Sequence, residues 1–162
     1  MKNNLKRGFT LIELLVVIAV IGILAGVILA SLNSARGKSR DAKRLGDMKQ
    51  LQVALELYKN DNGVYPTSSG SWRGNCSTYG GHPTTGATGY IPSLAPTYIS
   101  VLPVDPKPLG TSGCYLYQSN GTDYMLLVDG TVESGNVPTI LKRPAYPSNV
   151  TYAFYTSGAY SW

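Results

Sequence analysis

The 162-residue chain has room for one modest domain once its apolar N-terminal segment is set aside. Its formal charge of +5 is unevenly placed: residues 1–60 hold ten Lys/Arg against four Asp/Glu, whereas 61–162 hold four against five, which removes the usual inference from basic charge to nucleic acid. Two cysteines and one histidine are too few for a Cys/His zinc site, and the absence of a Gly-rich phosphate loop or paired carboxylates argues against an enzyme.

The chain opens with a short basic leader, residues 1–8, carrying Lys2, Lys6 and Arg7. From Leu14 to Ala35 there are 22 residues without a formal charge, enough to cross about 30 Å of hydrocarbon as a helix. Glu13 stands at the head of this run, where a carboxylate left in lipid costs roughly 2.5–3.5 kcal/mol. A cleaved secretory signal is the competing reading of a basic leader before an apolar core, but the run is longer than a signal core and Ile28-Leu29-Ala30 is a poor cleavage site. Gly22 and Gly26 form a small-xxx-small pair that lets helices approach closely. Arg36, Lys38, Arg40, Lys43 and Arg44 follow, and are expected to form a solvated helix turn beside lipid headgroups.

Leu45, Met48, Leu51, Leu55 and Tyr58 then recur at helical spacing as the apolar stripe of an amphipathic helix. One helix from Phe9 to Asn60 would span roughly 78 Å. Asp61-Asn62-Gly63 should end it, with Pro66 preventing its resumption. Residues 67–113, rich in Gly, Ser, Thr and Pro, read as a long loop with small local elements. Strands are expected at Cys114–Gln118, Tyr124–Asp129 and Val150–Tyr155, with Asn120-Gly121 in the first turn. The fold class is α+β, a long N-terminal helix packed on a small antiparallel sheet. Cys76 and Cys114 are expected to pair if this region is exported. The aromatic tail, Pro138 to Trp162, is left to pack on the sheet or to face another subunit.

The residues "KRGFTLIELLVVIAVIGILA" resemble the class III leader of type IV pilins and type II secretion pseudopilins, and "ALELYKNDNGVYP" and "VLPVDP" resemble the major pseudopilins. The resemblance implies a pilin-like fold and four regions: leader 1–8, transmembrane and assembly half 9–32, amphipathic half 33–60, and a loop-rich β region 61–162. It implies cleavage after Gly8 by a prepilin peptidase, methylation of Phe9, and pairing of Glu13 with the Phe9 ammonium of a neighbouring copy in a filament. The implied partners are copies of the chain, the peptidase, an inner-membrane assembly platform, minor pilins or pseudopilins, and membrane lipid. A positive-inside count favours the opposite orientation, but the resemblance places the N-terminus in the cytoplasm and the remainder in a periplasmic or surface filament.

Major pseudopilins often bind calcium in an acidic C-terminal loop. Here Asp105 and Asp129 are the candidate ligands, with Glu133 nearby in sequence, against a need for about six to eight oxygens, so no cofactor is expected and calcium is the lesser reading. A secretion pseudopilus is favoured over a surface pilus. A competence pilus that captures DNA is the alternative from another class, disfavoured because Arg73, Lys107, Lys142 and Arg143 are the whole basic complement of 61–162.

Overall fold

A computed structural model describes residues 9–135 and 137–162; the leader, with Gly8, and Asn136 lie outside the described residues. The element order is α1 (Leu11–Asn62), β1 (Arg73–Gly74), β2 (Tyr115–Ser119), β3 (Tyr124–Val128) and β4 (Tyr152–Tyr155), with 3₁₀ turns at Ser77–Tyr79, Thr139–Leu141 and Ser157–Ala159. The protein is therefore α+β, as its residue pattern indicates. Two compact units divide the chain, Met1–Arg36 and Gly37–Trp162.

In the first unit, α1 carries a largely apolar surface, interrupted in its first turn by Glu13. Every large apolar side chain from Leu11 to Leu29 is exposed, a surface that a chain surrounded only by water would be expected to bury. By length and composition α1 is sufficient to cross a membrane, and it is the one such helix among the described residues.

The second unit is a four-stranded antiparallel sheet in the order β1-β2-β3-β4, covered on both faces. Tyr115 pairs with Val128 and Ser119 with Tyr124 across β2 and β3, while Val128 pairs with Tyr152 across β3 and β4. Because side chains alternate along a strand, each strand feeds two cores. Tyr115, Tyr117, Leu126, Val128 and Phe154 meet Met48, Leu51, Ala54 and Leu55 of α1, while Leu116, Met125, Leu127 and Ala153 point the other way. That second face is closed by Ala159, Trp162, Trp72, Tyr79 and the cysteine pair. The tail thus packs on its own sheet.

The helix stops where the turn residues place it. Asn62 ends α1, and Gly63 follows at φ +76° with its N–H donating to the Lys59 carbonyl at 2.7 Å, the left-handed cap that a residue without Cβ adopts most readily. Asn62 adds its own side-chain amide, which donates to the Tyr58 carbonyl at 2.8 Å and to the Tyr98 hydroxyl at 3.1 Å.

The segment 67–113 contributes more than a loop. Tyr90, Ile91, Leu94, Ala95 and Leu102 are all buried in the core that faces α1. Irregular backbone can enter an interior only if its polar groups are paired, and here Tyr90 N–H donates to the Pro83 carbonyl, Leu102 N–H to Thr84 and Gly86 N–H to Ala95. Short β1 joins the sheet edge, where Gly74 faces Leu116 so closely that an added Cβ would lie 2.7 Å from the leucine side chain.

Cys76 and Cys114 are bonded, with Cα atoms 5.9 Å apart and 38 positions apart in sequence. Closing a loop of that length constrains the unfolded chain by about 3–4 kcal/mol in the chain-entropy account. Reduction, or paired Cys76→Ser and Cys114→Ser substitution, should therefore lower the unfolding free energy of the full chain in detergent by about that amount, read as a shift in urea midpoint. On α1, Leu51→Ala should cost about 2–5 kcal/mol because Leu51 is wholly buried, whereas Val53→Ala, 62% exposed, should cost less than about 0.5 kcal/mol in the same titration.

Candidate functional site

The head of α1 is built from Thr10 and Glu13. Thr10 lies just before the first helical residue, and its hydroxyl accepts the Glu13 N–H at 3.3 Å. Reciprocally, the Glu13 carboxylate accepts from the Thr10 N–H and from the Thr10 hydroxyl, both at 2.7 Å. This is a capping box: threonine and glutamate three residues apart satisfy orphan donors at a helix start, beside the positive end of the helix dipole. Glu13 consequently has donors of its own within one turn. The Thr10-x-x-Glu13 spacing is itself a capping signature in the sequence, set at the mouth of the apolar run.

Phe9 lies immediately ahead of the box and is 88% exposed. Phe9, Ile12, Val16 and Val17 line an open apolar groove along one side of the helix, together with Glu13. Gly22 and Gly26 meet nothing within 4 Å of a built Cβ, so both leave a notch in the exposed helix surface. The site thus combines an apolar helix surface, two notches and a single carboxylate held by its own N-terminal turn.

The basic cluster after the apolar run departs from expectation. Arg36 and Lys38 are exposed, but Arg44 is wholly buried and Arg40 is half-buried. The physical reason is a set of carboxylates that close on them from distant segments. Arg44 Nε and Nη2 donate to the two oxygens of Asp105 at 2.8 Å each, and Nη1 donates to Asp41 at 2.7 Å and to Glu133 at 3.2 Å. Arg40 forks onto Glu133, which also accepts from Lys107 Nζ at 3.1 Å. Burial lowers the pKa of Arg44, but its bonds and charge interactions with Asp105, Asp41 and Glu133 outweigh that and raise it above the usual value. Arg40 holds Glu133 down to about 2, while Asp105, which burial alone would raise, is held below the usual carboxylate range by Arg44, Thr131 and the Lys107 N–H.

The two candidate calcium ligands are not brought together as such. Asp105 spends both oxygens on Arg44, and further accepts the Thr131 hydroxyl at 2.6 Å and the Lys107 N–H at 2.7 Å. Asp129 accepts the Tyr79 hydroxyl at 3.5 Å, and burial raises its pKa. Among the described residues no group of three or more His, Cys, Asp or Glu is placed to hold a metal ion. These donors do not fit calcium. Asp41 is the carboxylate of this cluster that the calcium reading leaves out; Asp41 and Arg44, three residues apart on one helix, are its signal in the sequence.

Comparison with known proteins bears on the N-terminal segment first. The family description "Prokaryotic N-terminal methylation motif" matches residues 3–29. Type II secretion system core protein G of Klebsiella pneumoniae is 34% identical over 125 residues, covering 77% of this chain and 76% of that protein. The proteins of the same name from Klebsiella michiganensis and Escherichia coli are 41% identical over 68 residues and 42% identical over 64, covering 42% and 40% of this chain. In those two the match spans only 48% and 44% of the relative's length. No solved structure matches. With the leader motif, the exposed apolar helix, the α+β unit and a relative aligned along three quarters of both chains, this protein belongs to the family of type II secretion system core protein G.

Proposed function

We propose that the chain is a structural subunit of a type II secretion-like pseudopilus, held in the cytoplasmic membrane by the apolar part of α1, trimmed after Gly8, and polymerised through that same helix. The observation that carries this reading is the capped carboxylate at the head of a fully exposed apolar helix, in a chain whose family is named for type II secretion. No catalytic role is assigned. The chain is instead a substrate, for a prepilin peptidase that cuts at Gly8 and methylates Phe9.

The chemistry of assembly follows from Glu13. In the uncut chain the Phe9 nitrogen is part of a peptide bond, and Thr10 supplies the donors that keep Glu13 from being a bare anion in lipid. Cleavage turns the Phe9 nitrogen into an ammonium at the new chain end, just ahead of the Thr10 cap and four residues before Glu13. A neighbouring copy that presents its own Phe9 ammonium to Glu13 gains a charge pair in low dielectric, where attraction is strong and an unpaired charge is costly. Gly22 and Gly26 allow the neighbouring helix to approach closely. An assembly platform and minor pseudopilins complete the implied machinery.

The reading of a DNA-capturing pilus has less to stand on. Of the four basic residues in 61–162, Arg73 is committed to His82 and to the carbonyls of Thr88 and Gly89, and Lys107 to Glu133. Arg143 donates to the Trp162 carbonyl and lies over the rings of Trp72 and Tyr146. Little basic surface is left to follow a phosphate backbone.

Intact-mass measurement of the chain recovered from the cell envelope should give a methylated N-terminus at Phe9; a start after Ala30 would identify an ordinary secretory signal. Glu13→Val should leave membrane insertion intact yet reduce filament yield by at least about tenfold, since a lost contact of ~1.4 kcal/mol already changes an association constant by that factor. Fractionation and imaging of sheared filaments read the two steps separately. Yield close to that of the unsubstituted chain would reduce Glu13 to a helix cap.

A further inference from the structure

The charged cluster around Arg44 has the layout of an ion site with its ion already covalently attached. One positive centre lies inside the second unit with its side chain 0% exposed, and three carboxylates from three segments point at it: Asp105 at 0%, Asp41 at 6% and Glu133 at 21% side-chain exposure. Neutral and backbone donors fill positions that the arginine leaves. Thr131 and the Lys107 N–H complete Asp105, and the N–H groups of Glu133 and Ser134 bond to Asp41 at 3.1 and 2.8 Å. Gly37 faces the Glu133 segment, where a built Cβ would lie in van der Waals contact, 3.4 Å from Glu133 Cβ.

Charge is also balanced. Arg40, Arg44 and Lys107 face Asp41, Asp105 and Glu133, three cations to three anions, and the adjoining Lys43–Asp47 pair is neutral with Tyr115 donating to Asp47 at 2.8 Å. A divalent ion added to this set would leave two uncompensated positive charges in a buried place. Calcium further requires six to eight oxygens at about 2.3–2.6 Å, whereas these oxygens are aimed at nitrogen. A guanidinium presents its donors in a fixed planar fork, which matches Asp105 bidentately and leaves Nη1 for two further acceptors.

We propose that Arg44 is a tethered substitute for the calcium ion that the pseudopilin resemblance implies: a permanent internal cation that folds the Asp105–Lys107 and Thr131–Ser134 segments onto α1, making this unit independent of divalent metal. The proposal concerns the folded unit, whether or not the chain polymerises. Three consequences separate it from a metal-dependent loop. The mature chain in detergent has the same Tm with excess EDTA as with calcium at about 5 mM, a level that fills even weak extracellular-type sites. Arg44→Gln, which keeps a polar, hydrogen-bonding side chain but shortens it and removes the charge, lowers Tm or prevents folding. Arg44→Lys, which keeps the charge and loses the fork, gives a Tm between those of Arg44→Gln and the unsubstituted chain.

The measurement is thermal unfolding followed by near-ultraviolet circular dichroism, with isothermal titration of calcium chloride into the unsubstituted chain as a second readout. A calcium site filled at a hundred times its Kd would raise Tm by roughly 10 °C. The expected result is a shift of less than about 2 °C, which corresponds to under about 1 kcal/mol, and no titration heat beyond dilution. A calcium-dependent rise of several degrees, saturable calcium binding, or an Arg44→Gln variant that melts with the unsubstituted chain overturns the proposal; the first two are decided without any variant having to fold.

Discussion

Burying a guanidinium is tolerable only when its N–H groups meet acceptors, and Arg44 imposes that requirement on the whole of residues 37–162. The acceptors cannot all come from its own helix. Asp41 does, one turn away, but Asp105 and Glu133 are 61 and 89 positions distant, so the chain must bring two otherwise irregular segments to α1 before the charge is satisfied. The apolar packing of Met48, Leu51 and Leu55 against Tyr115, Leu126 and Val128 supplies a general drive to collapse, and area alone is indifferent to register. The charges are not indifferent. Removing one member of such a buried set leaves its partners uncompensated, at a typical cost of about 3–5 kcal/mol, so the cluster selects one arrangement of the segments even if its net contribution to stability is small.

The parts of the fold governed by period were readable. Leu45, Met48, Leu51, Leu55 and Tyr58 announced a helix face, and Asp61-Asn62-Gly63 its end, because both signals are local: one is a 3.6-residue repeat and the other a left-handed cap. Strands β2 and β3 were legible within one residue, since β-branched, aromatic and aliphatic residues surround a turn in which Asn120 accepts from the N–H groups of Thr122 and Asp123. Segment 67–113 was not legible in this way. Tyr90, Ile91, Leu94 and Leu102 carry no period, and their burial depends on turns whose hydrogen bonds are specified by conformation instead of composition.

Charge was harder to read than hydrophobicity. A run of arginines and lysines ordinarily marks solvent or headgroups, and Arg36 and Lys38 do remain exposed; nothing local distinguishes Arg44 until Asp105 and Glu133 are folded against it. The same holds for Glu13 in the opposite sense. Its anomaly among apolar residues was plain, yet its immediate partner is the threonine three positions earlier, and a three-residue hydrogen bond is as local as any signal in the chain. An ionised group can therefore be conspicuous while its partner is not.

The sheet has one further consequence, for what the molecule does not join. A strand edge with free N–H and C=O groups is a template for any other extended chain, and a protein displayed in many copies on one membrane would meet such edges often. Here the outer strand on one side, β1, is two residues long and turns at once into the loop held by Cys76, while the other, β4, runs four residues before Thr156 and the 3₁₀ turn Ser157–Ala159 end it. Asp123 fastens that exit by accepting the Thr156 hydroxyl at 2.6 Å and the Gly158 N–H at 3.2 Å. Short, fastened margins offer another extended chain few free backbone groups to pair with, so sheet-to-sheet accretion is unfavourable even where copies are crowded together.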